Sequence, residues 1–121
     1  MLRQFFIHAI FLTVPPSVTS ALPKEVIAIE GKSSTMQCTF QARPRPTVSW
    51  KLNGNALVNG SRIQIVSRVT GVQNNMTIVL STLTIHNVTE VDSGNISCSA
   101  DIPLKDLSTT TQHLVWCKSL D

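Results

Sequence analysis

The residues of this chain with the most definite chemistry are two cysteines, Cys38 and Cys98, whose thiols can join in a disulfide. Each lies on a segment in which apolar and polar residues alternate, which is the period of a half-buried β-strand. Trp50 lies between them on a third alternating segment. Together the three segments describe one core, in which a disulfide joins two facing sheets and an indole packs against it. Closing this loop contributes roughly 4 kcal/mol in the chain-entropy model, and the bond persists only in an oxidising compartment.

The third cysteine, Cys117, follows the last alternating segment. An odd cysteine can form an intermolecular disulfide, bond to a segment outside this chain, or remain a free thiol. We favour the first two interpretations, because a free thiol is a liability in an oxidising compartment. A disulfide-linked dimer through Cys117 is therefore one expectation.

Four asparagines fit the acceptor pattern for N-glycosylation, in which serine or threonine stands two positions later: Asn59, Asn75, Asn87 and Asn95. The first three fall at predicted turns or strand ends, where a bulky sugar is tolerated. Asn95 alternates outward on the strand of Cys98, so a glycan there would cover part of a sheet. If Asn95 is glycosylated, we expect the partner to bind an end loop or the opposite sheet.

Catalysis would need a nucleophile beside a base, or a pair of carboxylates in complementary environments. His86 and His113 each stand alone among polar residues on strand-like segments. No motif of a serine hydrolase, a zinc protease or a phosphate-binding loop occurs, and the cysteines lack the paired spacing of zinc ligands. The sequence predicts no enzyme, no cofactor and no metal site.

The amino-terminal segment is typical of a secretory signal peptide, which we place at residues 1–20. Arg3 precedes an apolar run at residues 5–14, and small residues at 18–20 precede a cut near Ala21. An uncleaved membrane anchor is disfavoured, because a spanning helix needs about twenty apolar residues. No later stretch is long enough either. We expect a secreted protein, or a fragment of a longer cell-surface receptor.

The elements that position these residues are predicted to be short strands separated by turns, with no helix of useful length. The two prolines at 44 and 46 stiffen the loop before Trp50, Asn53-Gly54 predicts a hairpin, and Asp92-Ser93-Gly94 predicts a tight turn. A further loop is predicted at Thr70-Gly71, with its tip at 72–75. Strands are predicted at 26–30, 35–40, 48–52, 56–58, 62–66, 77–85, around Cys98 and at 110–116.

Three stretches, residues 44–54, 83–85 and 92–98, together resemble the I-set domains of the immunoglobulin superfamily. The resemblance implies an all-β sandwich of two sheets, with Greek-key connections and one inter-sheet disulfide. It places the domain at residues 21–117, followed by a tail at 118–121. It also implies that Arg62 pairs with Asp92 in a structural ion pair.

The resemblance further implies an extracellular protein-binding module in cell adhesion or receptor–ligand recognition, homophilic or heterophilic. The stiff loop holding Arg43 and Arg45 is the best candidate for partner contact, because it loses little entropy on docking and arginine suits planar acidic groups. The alternatives are a soluble immune or decoy binder and a structural spacer from a longer multi-domain receptor. The formal net charge of +3 is scattered along the chain, which argues against nucleic acid as a partner.

Overall fold

A computed structural model describes residues 14–20, 22 and 25–102, and the backbone of residues 108–118. The predicted leader up to residue 13, Ala21 and the tail beyond Lys118 lie outside the described residues. Within these residues there are nine strands and one turn of 3₁₀ helix, at Glu90–Asp92. The strands are β1 (Val14–Ser20), β2 (Glu25–Ile29), β3 (Ser34–Arg43), β4 (Thr47–Leu52), β5 (Asn55–Ala56), β6 (Ile63–Gln73), β7 (Met76–Ile85), β8 (Gly94–Asp101) and β9 (Ser108–Lys118).

The strands form two sheets that face each other across one core. The four-stranded sheet has the order β1-β3-β7-β6, and the five-stranded sheet has the order β2-β9-β8-β4-β5. All neighbouring strands are antiparallel except β2, which runs parallel to β9. The predicted all-β, two-sheet immunoglobulin-like sandwich is confirmed.

The core consists of the inward residues of each alternating strand. Along β3 the buried and exposed positions alternate through Cys38 and Phe40, and the same alternation continues on β7 and β8. Trp50 on β4 is 1% exposed. Full burial of such large apolar side chains stabilises the fold by about 1.5–3 kcal/mol each, so the alternation in the sequence is what drives the two sheets together.

Strands β6 and β7 form a longer hairpin than the sequence indicated. The predicted loop at Thr70-Gly71 lies inside β6, where the pairing with β7 shifts register between Val69 and Gly71. The reversal occurs at Asn74 and Asn75, within the predicted tip at 72–75, and their φ angles are 53° and 65°. Two consecutive residues with positive φ match the twist of a two-residue hairpin, and asparagine tolerates this conformation better than most residues.

The amino-terminal strand extends the sandwich towards the chain start. Val14–Ser20 pairs antiparallel with β3, from Val14 beside Arg43 to Ser20 beside Thr39. Among the described residues the first strand of the sandwich is Val14–Ser20, a segment that the sequence pattern assigned to a leader at residues 1–20. Whether and where a leader is cut stays a prediction.

The connections between the strands lie at two opposite ends of the sandwich, which we call the Arg43 end and the Asp92 end. The Arg43 end holds the loop between β3 and β4 and the Asn74–Asn75 turn, and Val14 lies there because it pairs with Arg43. The Asp92 end holds the β4–β5 turn and the segment between β7 and β8. Lys118 pairs with Ile29 near this second end. The described chain therefore enters the sandwich at one end and leaves it at the other.

Candidate protein-recognition surface

The two sheets are joined covalently by a disulfide between Cys38 on β3 and Cys98 on β8. Both cysteines are fully buried. Trp50 is the register neighbour of Cys98 on the adjacent strand, so the indole lies beside the disulfide. The structure thus brings together the three residues that the sequence singled out, and they have a structural role.

A hydrogen-bond chain runs from this tryptophan across the core to Ser81, which is buried, and on to Ser67, which is exposed. The indole N–H of Trp50 donates to the hydroxyl oxygen of Ser81 at 2.9 Å, and the hydroxyl of Ser67 donates to the same oxygen at 2.8 Å. Ser81 is fully buried on β7, between Val79 and Leu83 on the inward face. The sequence reasoning missed this link. The sequence does hold a sign of this hydrogen bond, because Ser81 falls at an inward position of a strand whose other inward residues are apolar. Since buried polar groups in proteins have hydrogen-bond partners, an inward serine predicts one.

Arg62 and Asp92 form the ion pair that the resemblance implied, at 2.5 Å between Nη2 and Oδ2. Asp92 is 5% exposed, and its Oδ2 also accepts the backbone N–H of Thr89 at 2.8 Å. Arg62 donates to the carbonyl oxygens of His86 and Asn87, each at 3.1 Å. The guanidinium therefore holds the β7–β8 connection against the start of β6, which is a structural role at the Asp92 end.

A second side-chain clasp at the same end joins the β4–β5 turn to β8. The side-chain oxygen of Asn53 accepts the backbone N–H of Asn95 at 3.0 Å, and the backbone N–H of Asn53 donates to the carbonyl of Asn95 at 2.8 Å. Gly94 has a φ of 141°, and a Cβ added there would lie 2.8 Å from Cγ of Asn53. The backbone conformation at 94 favours glycine, and a larger residue there would also force the end of the Asn53 side chain to move.

All four acceptor asparagines have exposed side chains. Asn59, Asn87 and Asn95 lie at or near the Asp92 end, and Asn75 lies at the other end on the turn between β6 and β7. The side-chain oxygen of Asn59 accepts the backbone N–H of Ile65 at 2.7 Å and so caps part of the free edge of β6. A glycan attached through the nitrogen would leave that oxygen in place.

The arginine loop, Arg43–Pro46, connects β3 with β4 at the Arg43 end. Arg43 is half-buried and Arg45 is exposed, while Pro46 is buried. The buried proline anchors the loop to the sandwich, and its fixed φ limits the conformations of its neighbours. Of the two arginines in this loop, Arg45 is therefore the more exposed to solvent.

The outer face of the five-stranded sheet begins directly after this loop. Thr47 and Ser49 on β4 pair with Asp101 and Ser99 on β8, and the Ser49 and Ser99 hydroxyls lie 3.1 Å apart. These side chains are short and polar. We call Arg45, Thr47, Ser49, Ser99 and Asp101 the arginine-loop face.

Cys117 lies in β9, where its backbone pairs with that of Ala28 on β2. The thiol is outside the described residues, so an intermolecular disulfide stays a prediction. His113 is also in β9, beside Ile96. His86 lies at the Asp92 end with its Nδ1 2.9 Å from the hydroxyl of Ser33.

Within the part of the chain whose side chains are described, histidine, cysteine, aspartate and glutamate nowhere gather in threes as a metal site would require. In that same part, no helix is long and apolar enough to span a membrane.

A model of the immunoglobulin domain matches residues 15–101 of the chain. The chain belongs to the immunoglobulin domain family. This match spans both cysteines, Trp50, and the Arg62–Asp92 pair, so the family rests on the residues that build the core. Proteins of this family and its neighbours are binding or structural proteins without catalysis, and the chain is accordingly not an enzyme.

Among curated proteins, contactin-1 of Gallus gallus is 32% identical over 88 residues, which is 72% of this chain and 8% of contactin-1. Among solved structures, the I-band fragment I67-I69 from titin superposes with a TM-score of 0.72 at 17% identity, over 88% of this chain and 34% of that one. The eight amino-terminal immunoglobulin domains of Down Syndrome Cell Adhesion Molecule give a TM-score of 0.66 at 26% identity, over 88% and 13%. The chain spans less than a tenth of the length of the curated relative.

Proposed function

We propose that this chain is an extracellular recognition module that binds a partner protein through the arginine-loop face. The cellular location is supported by the inter-sheet disulfide, which needs an oxidising compartment, and by the four acceptor asparagines. The family itself supports binding to proteins, and the similarity to an adhesion molecule supports a role at cell contacts. Fold similarity does not identify the partner.

The observation that carries this proposal is the position of exposed Arg45, on an anchored loop directly before a strand face of short polar side chains. A loop held by a buried proline loses little conformational entropy when a partner docks. The guanidinium offers a planar set of donors that matches a carboxylate. Arginine is also enriched among residues that dominate protein interfaces.

The placement of the acceptor asparagines favours this face over the Asp92 end. Three of the four lie at or near the Asp92 end, where glycans would obstruct docking. On β8, Asn95 and Asp101 are six positions apart, which is about 20 Å along a strand. The arginine loop and Asp101 are thus at the end of this sheet farther from Asn95, which agrees with the expectation that a glycan on Asn95 directs the partner to an end loop.

The charges on the arginine-loop face suggest the chemistry of the partner. Arg45 and Asp101 carry opposite charges on one surface, so the face is complementary to an inverted copy of itself. It is also complementary to a different protein that presents carboxylates towards Arg45. Homophilic and heterophilic binding are thus separate outcomes of one experiment.

The proposal is tested by adding one N-glycan at a chosen surface position, a glycan wedge, so that the sugar blocks docking there. Thr47→Asn creates the acceptor sequence Asn-Val-Ser on the arginine-loop face, and Lys32→Asn creates Asn-Ser-Ser at the Asp92 end as the matched control. The wild-type and variant chains are secreted from cultured animal cells, checked for the added sugar by mass spectrometry, and coupled to fluorescent beads. Clustering of beads with beads measures homophilic binding, and attachment to a panel of cells, with and without surface proteolysis, measures heterophilic binding.

We expect Thr47→Asn to reduce bead clustering or cell attachment at least tenfold, and Lys32→Asn to leave it unchanged. Arg45→Glu should reproduce the loss without any added sugar. If the Lys32 wedge removes binding while the Thr47 wedge does not, the contact surface is assigned to the wrong end. If the wild-type chain is never exported, the extracellular role is wrong.

A second function, a structural link in a row of domains, is favoured by the positions of the chain ends. Val14 and Lys118 lie towards opposite ends of the sandwich, which is the arrangement needed to connect domains in series. The chain also matches a third of the three-domain titin fragment. A reading frame that continues past Asp121 into a further domain would support this role, and wedges without effect at either end would agree with it.

A further inference from the structure

We propose that N-glycans on Asn59 and Asn75 cover the free edge of strand β6, the side that faces away from β7, and keep two copies of the chain from pairing through it. In the transfer, Nδ2 of asparagine loses a proton and bonds to C1 of an oligosaccharide. The bond from C1 to a lipid diphosphate breaks, and the lipid diphosphate leaves with the bonding electrons. The inference rests on the proposed function only in requiring export, because these sugars are attached on the export pathway.

Four of the described strands lie at sheet edges, and three of these edges are blunted. β5 has two residues, β2 has five, and β1 contains Pro15 and Pro16. Short strands and prolines are means by which proteins keep sheet edges from pairing with other chains. β6 has eleven residues and no proline. Its free edge is therefore the one most open to association.

The first part of this edge is capped within the chain itself. The carbonyl of Ile63 accepts the backbone N–H of Gly60 at 2.9 Å, and the backbone N–H of Ile65 donates to Oδ1 of Asn59 at 2.7 Å. These two bonds show that the backbone groups of Ile63 and Ile65 point away from β7. The segment around Asn59 thus blocks pairing with another chain over the start of the strand.

The rest of the edge combines outward backbone groups with exposed apolar side chains. Because outward and inward backbone groups alternate along an antiparallel strand, those of Ser67 and Val69 also point away from β7, which is the only neighbour of β6 among the described strands. Val66, Val69 and Val72 have exposed side chains. The strand's own protection is limited to one charged residue, Arg68, and one register shift. Such an edge is a site for pairing with a second copy unless something covers it.

Two of the acceptor asparagines stand at the two ends of this exposed stretch. Asn59 contacts Ile65, and Asn75 lies on the turn that follows Gln73. Ile65 and Gln73 are eight positions apart, which is about 26 Å along a strand. A glycan is bulky and solubilising, so sugars at both ends would approach the exposed valines from two sides.

This arrangement is compatible with the proposed docking surface. β6 belongs to the four-stranded sheet, whereas the strands of the arginine-loop face belong to the five-stranded sheet. Covering β6 would therefore block a contact on one sheet while the proposed docking face is on the other.

The test removes the two glycans while keeping both asparagines. Ser61→Ala and Thr77→Ala each destroy one acceptor sequence. Ser97→Ala, which destroys that of Asn95 on the other sheet, is the matched control. Every chain also carries Cys117→Ser, so that no disulfide through this position joins two copies. The chains are secreted from cultured animal cells, the occupied sites are identified by mass spectrometry, and self-association is measured by sedimentation equilibrium.

We expect both Asn59 and Asn75 to carry glycans in the secreted protein. The double variant that lacks these two glycans should form dimers with a dissociation constant at least tenfold lower than that of the parent chain or the control. Adding Val72→Lys to the double variant should restore the parent value, because a lysine on an edge strand opposes pairing. Adding Arg45→Glu should not restore it.

Three outcomes would overturn the inference and leave the bead test of the arginine-loop face unaffected. These are an unmodified Asn59 or Asn75 in the secreted parent chain, a double variant that associates no more strongly than the control, and association that Arg45→Glu reverses and Val72→Lys does not. A chain that is never exported would overturn both proposals. If the double variant does not fold, the glycans of the folded parent chain are trimmed to their first sugar, and unchanged association after trimming would overturn the inference.

Discussion

The hydrogen-bond chain between Trp50, Ser81 and Ser67 makes the most specific prediction about stability. The Ser81→Ala substitution removes the acceptor of the Trp50 indole N–H while leaving the indole buried at 1% exposure. A buried donor without an acceptor costs about 1–3 kcal/mol, which is more than the net gain from the hydrogen bond. For a domain of about 100 residues, each 1 kcal/mol lowers the Tm by roughly 4–8 °C. We therefore expect Ser81→Ala to lower the Tm by about 5–20 °C.

The matched control is Ser67→Ala, which removes the other hydrogen bond to the same oxygen. Ser67 is exposed, so its loss leaves no buried donor, and we expect a cost below about 1 kcal/mol. Adding Trp50→Phe to Ser81→Ala removes donor and acceptor together. Trp50→Phe alone destabilises the protein because it creates a cavity. In the Trp50→Phe protein, however, Ser81→Ala should lower the unfolding free energy by less than it does in the wild type, because no indole N–H is left without an acceptor. The difference between the two losses is the coupling energy of the two side chains.

Urea unfolding followed by far-ultraviolet circular dichroism provides the free energies of the wild type and the four variants without relying on Trp50 fluorescence. Equal m-values are required, so that differences in midpoint report stability. The reasoning is refuted if Ser81→Ala is as stable as the wild type, or if its cost is the same with tryptophan or phenylalanine at position 50.

Three further predictions follow from the structural pairs and from the third cysteine. Arg62→Ala should lower the unfolding free energy by about 1–3 kcal/mol, which is less than for a fully buried pair because the Arg62 side chain is 38% exposed. Asp92→Asn keeps an acceptor for the Thr89 backbone N–H and should show a similar loss in urea unfolding. No loss in either variant would contradict a stabilising role for the Arg62–Asp92 ion pair. Gly94→Ala should lower the Tm, and less so in an Asn53→Ala background because the crowded side chain is gone; equal losses in both backgrounds would leave backbone strain as the whole effect. Non-reducing electrophoresis of the secreted chain should show a dimer that Cys117→Ser abolishes, whereas a wild-type monomer with one free thiol would rule the dimer out.

Most of the strand pattern was predictable because alternation is a local property. Cys38, Trp50 and Cys98 each lie on short segments whose inward residues are apolar, and a strand needs only a few residues to display its period. The family resemblance then placed Arg62 beside Asp92, although thirty positions separate them. The length of β6 was underestimated, because Thr70 and Gly71 read locally as a loop, whereas pairing with β7 keeps them in the strand.

The strand at Val14–Ser20 was not predicted, for a related reason. An apolar run followed by small residues is a leader pattern, and nothing local in Val14–Ser20 indicates that it pairs with β3. The strand forms by pairing with residues about 25 positions away. The sequence pattern of one strand does not show which distant strand it pairs with. The structure also identified Ser81 as the acceptor of the Trp50 indole N–H. The alternation of apolar and polar residues along a strand cannot identify such a partner.

The amino-acid sequence determined the class of this protein: the alternating strands, the two bonded cysteines, the buried tryptophan and the acceptor asparagines can all be read along the chain. Only the tertiary structure decided that β1 pairs within the sandwich, that Ser81 accepts the indole hydrogen bond, and that Arg45 and three of the acceptor asparagines lie at opposite ends. The physical reason is that periodicity and turn chemistry are local, whereas register, hydrogen-bond partners across a core and neighbours on a surface depend on how distant strands pair.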